Sequence, residues 1–160
     1  MVFSFGSVCM QVASCGPLLR WKWANTDLRS KERFYQAFEQ VLAVSRDHQA
    51  TQWLADISAM PPIGIDEQQW LSETWLTQFV VLGIKKVAVI EPGSLHNQLA
   101  IESVLADGRR YVQADVQYFP DTESALDWLT RSDTRTIEEL EQEWQGACLG
   151  EYTSGLEIEK

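Results

Sequence analysis

Two stretches of this chain gather side chains able to do chemistry. The first is Asp56-Ile57-Ser58, followed by Pro61-Pro62 and Asp66; the second is Glu91-Pro92-Gly93-Ser94, followed by His96. A carboxylate beside an apolar strand must find hydrogen-bond donors or raise its pKa. Asp56 is therefore either a reactive acid or an acceptor for N–H groups in the loop that follows it. The second reading is the commoner one for Asp before a turn. Ser58 can serve as a phosphorylation site, a ligand hydroxyl or a loop cap, and the cap is the simplest. If the strands before these stretches run parallel, Asp66, Glu91, Ser94 and His96 meet Ser58 at one edge of a sheet, where α/β proteins place ligands.

Other chemistry finds little support. The chain has two histidines, His48 and His96. His48 ends a polar helix, and Ser94 and His96 are two residues apart, which on a helix points their side chains apart. No glycine-rich phosphate loop and no metal-ligand spacing occurs. Glu138, Glu139, Glu141 and Glu143 read as a solvated helix face. No catalytic residue, metal or cofactor is expected, and the protein is not expected to be an enzyme.

The elements that must position these residues follow from hydrophobic periodicity. Residues 2–13 read as a first strand. Cys15-Gly16-Pro17 marks a turn. In a second strand, residues 18–24, Leu19, Trp21 and Trp23 share a buried face, and Arg20 and Lys22 share a wet one. The two strands form a hairpin. After a polar loop at residues 25–29, Ser30 caps a helix over 31–48 with a stripe of Phe34, Phe38, Val41, Leu42 and Ser45. A third strand, 51–58, is apolar enough to be covered on both faces. Asp66 caps the next helix, with Gln69 in capping-box position. Its core face carries Leu71, Trp75, Leu76, Phe79 and Val80, and Gly83 stops it. A strand at 87–90, a helix from cap Ser94 to Asp107, a strand at 112–119 and a short helix with Ala125, Leu126, Trp128 and Leu129 follow.

Alternating β and α units imply a mainly parallel central sheet of about five strands with an antiparallel strand added by the hairpin. The fold class is α/β, with one domain over residues 1–132. Residues 133–149 form an acidic helix with a capping box at Thr136 and Glu139 and a thin stripe of Ile137, Leu140 and Trp144. This helix docks either on its own domain or on a partner; three apolar residues make only a small interface, which favours its own domain. Residues 150–160 form a loose tail.

Composition narrows the function. The net charge is −10, from 23 acids against 13 bases. That argues against nucleic acid and against an anionic membrane surface. No apolar run approaches the ~20 residues that span a bilayer. Three cysteines with no zinc spacing fit a reducing compartment, so the protein is expected in the cytoplasm. Val12-Ala13-Ser14-Cys15 is similar to a lipoprotein cleavage box, but residues 1–11 hold no Lys or Arg and Gln11 interrupts the apolar run, so no signal peptide is expected. Seven Trp in 160 residues predict a Trp-rich core.

The landmarks Trp21, Trp23, Phe34, Phe38, Trp53-Leu54-Ala55-Asp56, Trp70, Trp75, Phe119-Pro120-Asp121 and Ala125-Leu126-Asp127-Trp128-Leu129 cover about residues 7–131. On them the chain resembles the STAS-like fold of bacterial anti-sigma-factor antagonists, and more closely a small bacterial family described as STAS-like or CRAL-TRIO-like. In the antagonists a phosphorylatable Ser lies near the start of the helix after the third strand. Asp56-Ile57-Ser58 is similar to the strand-end part of that pattern. The Asp-Ser-Ser-Gly run is replaced here by Ile63-Gly64-Ile65-Asp66, which sets Asp66 where the phosphoserine would be.

The resemblance implies a non-catalytic regulatory or protein-interaction module acting through a protein surface near the Pro61-Pro62 loop and the second helix; separately, the hairpin's edge strand and the acidic helix both need cover, which a second copy of the chain would supply. The CRAL-TRIO likeness implies instead a carrier of a small apolar or lipid-like ligand in a Trp- and Phe-lined pocket behind Trp70 and Trp75. A pocket needs a void between the second helix and the sheet; a module needs a tight core and an exposed apolar patch.

Overall fold

The computed structural model describes residues 1–5, 8–13, 17–23 and 31–159, with side chains omitted at 5, 31–32 and 147–159. The expected turn at Cys15-Gly16, the loop at 25–29 and the Ser30 cap lie outside the described residues.

Six strands form one mixed sheet in the order β1-β2-β3-β4-β5-β6. They are β1 (Val2–Phe5), β2 (Val8–Val12), β3 (Leu18–Trp23), β4 (Gln52–Asp56), β5 (Lys86–Ile90) and β6 (Asp115–Phe119). The first two pairs are antiparallel and the last three parallel. The sixth strand arises because residues 2–13 are two strands, paired with Phe5 opposite Val8. In the sequence Gly6-Ser7 interrupts the apolar run between them, a break that the reading as one strand passed over.

Helix α1 (Lys31–Asp47) joins β3 to β4, and α4 (Leu95–Asp107) joins β5 to β6. Between β4 and β5 a single helical segment runs as α2 (Ile65–Trp70), a π-helical turn (Leu71–Trp75) and α3 (Leu76–Leu82). These crossovers step along the sheet in one direction, so helices of one hand fall on one face. Phe34, Phe38, Leu76, Phe79, Ala100 and Val104 accordingly share one core with Trp21, Trp53 and Val87. On the opposite face α5 (Thr122–Thr130) and α6 (Thr134–Glu159) enclose a smaller core of Leu18, Leu54, Ala88, Ile90, Leu126 and Leu140.

The caps show local chemistry at work. Ser94 accepts the Asn97 N–H and Asp121 that of Ser124, and Gly83 ends α3 at φ 73°. The expected cap Asp66 is instead a first-turn acid beside the α2 cap Gly64, where it favours the helix dipole. The start of α6 is held by Asp133, which accepts the Thr136 hydroxyl at 2.9 Å, so Thr136 is inside the helix and does not cap it. The α6 backbone continues past 149, through the stretch expected as a loose tail.

Two side chains change face relative to expectation. Arg20 is buried, not wet, because α6 lies over it. Val80 is exposed, not core. Within α3 Phe79 is buried and Val80, 36 % exposed, lies at the margin of the core face.

Helix α6 docks on its own sheet. Gln11 donates to the Leu140 carbonyl at 2.8 Å and to Glu143 at 2.9 Å. Arg20 pairs with Glu141, and its guanidinium lies 4.1 Å from the Trp144 ring centre. The acids Glu141 and Glu143 thus meet polar groups on β2 and β3, not solvent alone. Among the described residues no helix is long and apolar enough to cross a membrane.

Candidate functional site

The strand-end residues are organised as loop architecture. Asp56 is 8 % exposed and accepts both the Ser58 N–H at 3.1 Å and the Ser58 hydroxyl at 2.6 Å. This is the turn-capping arrangement. Ser94 is occupied as the α4 cap. His96 Nε2 donates to the Ile63 carbonyl at 2.7 Å. The loops after β4 and β5 touch: a Cβ on Gly93 would lie 3.1 Å from the Ser58 carbonyl oxygen. Asp66 and Glu91 are exposed, as is Pro62, while Pro61 is half-buried. Trp70 stands apart, its ring 4.8 Å from that of Tyr35 on α1. The strand order never reverses along the sheet, so no switch-point crevice opens between diverging crossovers.

A residue that sequence reasoning passed over holds this edge together. Asn97, 2 % exposed on the first turns of α4, donates to the carbonyls of Met60 at 3.1 Å and Pro61 at 2.9 Å. Its Oδ1 accepts the Ile63 N–H at 2.8 Å. Prolines fix φ and supply no N–H, so the carbonyls around Pro61-Pro62 need donors from elsewhere. The only sequence signal was an Asn at a position otherwise spaced for the helix core, three residues before Ala100.

The cavity lies elsewhere, between the π turn and the sheet. It has a volume of about 80 Å³ and apolar walls. Trp21, Trp53 and Ala55 of the sheet and Leu71, Trp75 and Leu76 of the helical segment line it. Neither Trp70 nor any residue of the Asp56–Ser94 set lines it. The π turn accounts for its shape. The Leu76 N–H reaches back five residues to the Leu71 carbonyl, and the widened turn holds Trp75 and Leu76, neighbours in sequence, both on the buried side.

The aromatic walls are fixed. Trp75 and Phe79 stack at 5.5 Å and 18°, and Trp53 sits 4.9 Å from Phe79. The Trp75 indole donates to the Phe38 carbonyl at 2.9 Å, and the Trp53 indole to the Ser45 hydroxyl at 2.9 Å. Ser45 in turn donates to the Val41 carbonyl at 2.7 Å. The Trp21 indole N–H has no acceptor among the described residues. Anchored rings leave the void unable to collapse by simple rotation. Such a void forfeits about 24 cal/mol per Å³, so ~80 Å³ costs roughly 2 kcal/mol.

Among the described residues no cluster of His, Cys, Asp and Glu could hold a metal ion. Comparisons with protein-family models, with curated proteins and with solved structures find no match for this chain.

Proposed function

We propose that the protein is a non-catalytic binding domain that holds a small apolar molecule between the π turn and the sheet. The observation that carries this reading is the apolar cavity walled by Trp21, Trp53 and Trp75. A void between the second helix and the sheet is what a carrier needs and a pure interaction module does not. Apolar cavities stay dry and accept apolar guests, and an occupant would recover the contacts that the empty walls forgo.

The test is xenon binding to the full chain, followed by 129Xe NMR and by shifts of methyl resonances on Leu71, Leu76 and Val89. Saturable xenon exchange is expected. Ala55→Val and Ala55→Leu, which put carbon into the cavity, should abolish it while the chain stays folded. Absence of specific xenon exchange in the wild-type protein sinks the reading.

A second reading, a STAS-like regulatory module in the cytoplasm, draws on a different feature. Leu95 and Leu99 lie one turn apart on α4 and are 69 % and 56 % exposed. Asn97 and His96 pin that helix to the Pro61-Pro62 loop. A partner protein or a second copy would cover them. Sedimentation of the wild-type chain against Leu99→Glu tests the second-copy form: a wild-type dimer dissociated by the substitution supports it.

A further inference from the structure

The cavity is small for a ligand. An engineered cavity of ~150 Å³ is what takes up benzene, and this one holds about 80 Å³. On the outer side of Leu76 lies a surface groove of about 200 Å³, bounded by Ser72, Thr77, Val80, Asp107, Gly108 and Tyr111. Leu76 lines both spaces.

Resting on the cavity reading, we propose that groove and cavity form one site for a small amphiphile. A short hydrocarbon tail enters past Leu76 into the cavity, and a hydrogen-bond-donating or cationic head stays in the groove against Asp107.

The groove has the chemistry of such a mouth. Asp107 is the last residue of α4, where unpaired carbonyls make the helix end electronegative, and no basic side chain lies in that last turn. The Ser72 hydroxyl donates to Asp107 Oδ2 at 3.0 Å, tying the π turn to α4 across the groove and leaving the second carboxylate oxygen for a ligand. Arg109 and Arg110 follow in the chain but do not line the groove. Val80 and Tyr111, both exposed, extend apolar surface from the mouth outward.

Gly108 sets the gate. A Cβ there would lie 2.2 Å from Leu76 Cδ2 and 3.2 Å from Val112 Cγ2. Gly108 has φ −90°, a conformation open to any residue, so its lack of a side chain serves the Leu76 contact and not the backbone. A methyl group at 108 must push Leu76 inward, onto the space the tail would occupy.

The experiment measures n-hexylamine and n-hexanoate binding to the full chain by stopped-flow Trp fluorescence, with xenon occupancy measured in parallel. The amine should bind saturably and about tenfold more tightly than the carboxylate, the worth of one charge-assisted hydrogen bond. Asp107→Asn should remove that preference. If moving Leu76 limits entry, Leu76→Ala should raise the association rate about tenfold, and Gly108→Ala should lower amine binding. Should Gly108→Ala fail to fold, the opposite effect of Leu76→Ala still decides. Xenon occupancy without amine binding, or amine rates indifferent to Leu76, overturns the joined site and leaves the cavity reading standing. Loss of xenon occupancy in the wild type overturns both.

Discussion

Asn97 Oδ1 accepts the Ile63 N–H at 2.8 Å across a sequence separation of 34 residues, and this bond joins the start of α4 to the end of the Pro61-Pro62 loop. The Nδ2 of the same side chain covers two carbonyls in that loop. One buried amide therefore fixes the path by which the chain leaves β4 and enters the helix that roofs the cavity.

Replacing Asn97 by Leu keeps the branched shape, adds apolar bulk and strands those groups. A buried polar group left unpaired costs about 1–3 kcal/mol. With three bonds lost together, Asn97→Leu should destabilise the protein by about 3 kcal/mol or more in urea unfolding. Asn97→Asp keeps the acceptor for Ile63 but sets a buried carboxylate against the Met60 and Pro61 carbonyl oxygens, so at neutral pH it should destabilise at least as much as Asn97→Leu. A loss under about 0.5 kcal/mol for Asn97→Leu, the range of an ordinary surface change, would show that water replaces the amide.

Ser45 gives a second case of a polar group with one buried customer. Ser45→Ala removes the acceptor of the Trp53 indole N–H. Helix propensity gains a few tenths of a kcal/mol from the change, and the stranded N–H costs about 1–3 kcal/mol, so the net should be a destabilisation near 1–2 kcal/mol. Ser45→Thr retains an acceptor and should recover part of it. Urea midpoints for the three proteins decide; a stabilised Ser45→Ala would refute the account.

The order of elements was legible in the sequence because each face repeats its pattern. Trp21 and Trp23 alternate with Lys22, Phe34 to Ser45 recur at helical spacing, and Gly83 and Ser94 mark helix ends. What escaped has a physical reason in each case. Val80 falls one turn after the buried Leu76, so periodicity reads it inward, but it sits at the margin of the α3 core face. Arg20 alternates like a solvent-facing residue because its cover, Trp144 and Glu141, comes from 121 positions or more downstream. The strand-end acids and hydroxyls were visible as residue types, but Asp56 and Ser94 spend their hydrogen-bonding capacity on local turns. The Trp content pointed to a Trp-rich core and fitted both function classes; the void lies behind Trp75 and away from Trp70, beside the π turn.

The α6 contact should be separable from the fold of the sheet. Trp144 is 7 % exposed and covers the buried Arg20. Trp144→Ala should cost about 3 kcal/mol or more as a large aromatic truncation. The Arg20–Glu141 pair is partly open on the Glu side, so a double-mutant cycle of Arg20→Met with Glu141→Gln should give a coupling near 1 kcal/mol. Hydrogen exchange should rise in residues 134–146 of Trp144→Ala and stay low in β3 to β5. Equal loss of protection across the sheet would mean that α6 is integral to the one cooperative unit.

The same contact should weaken in acid. The side-chain amide of Gln11 and the chain's amino group donate to Glu143 and hold its carboxyl below the ordinary glutamate value. A lowered folded-state pKa means that the folded chain binds this proton less readily than the unfolded chain does. The stabilisation is therefore full above the ordinary Glu pKa and is lost as pH falls through and below that value. The side chain is 40 % exposed, so solvent screens the effect and only its direction is predicted. Thermal unfolding followed between pH 7 and pH 3 should lose less stability in Glu143→Gln than in the wild type, since the amide cannot titrate. Identical pH profiles for the two proteins would show that Glu143 does not couple the α6 contact to pH.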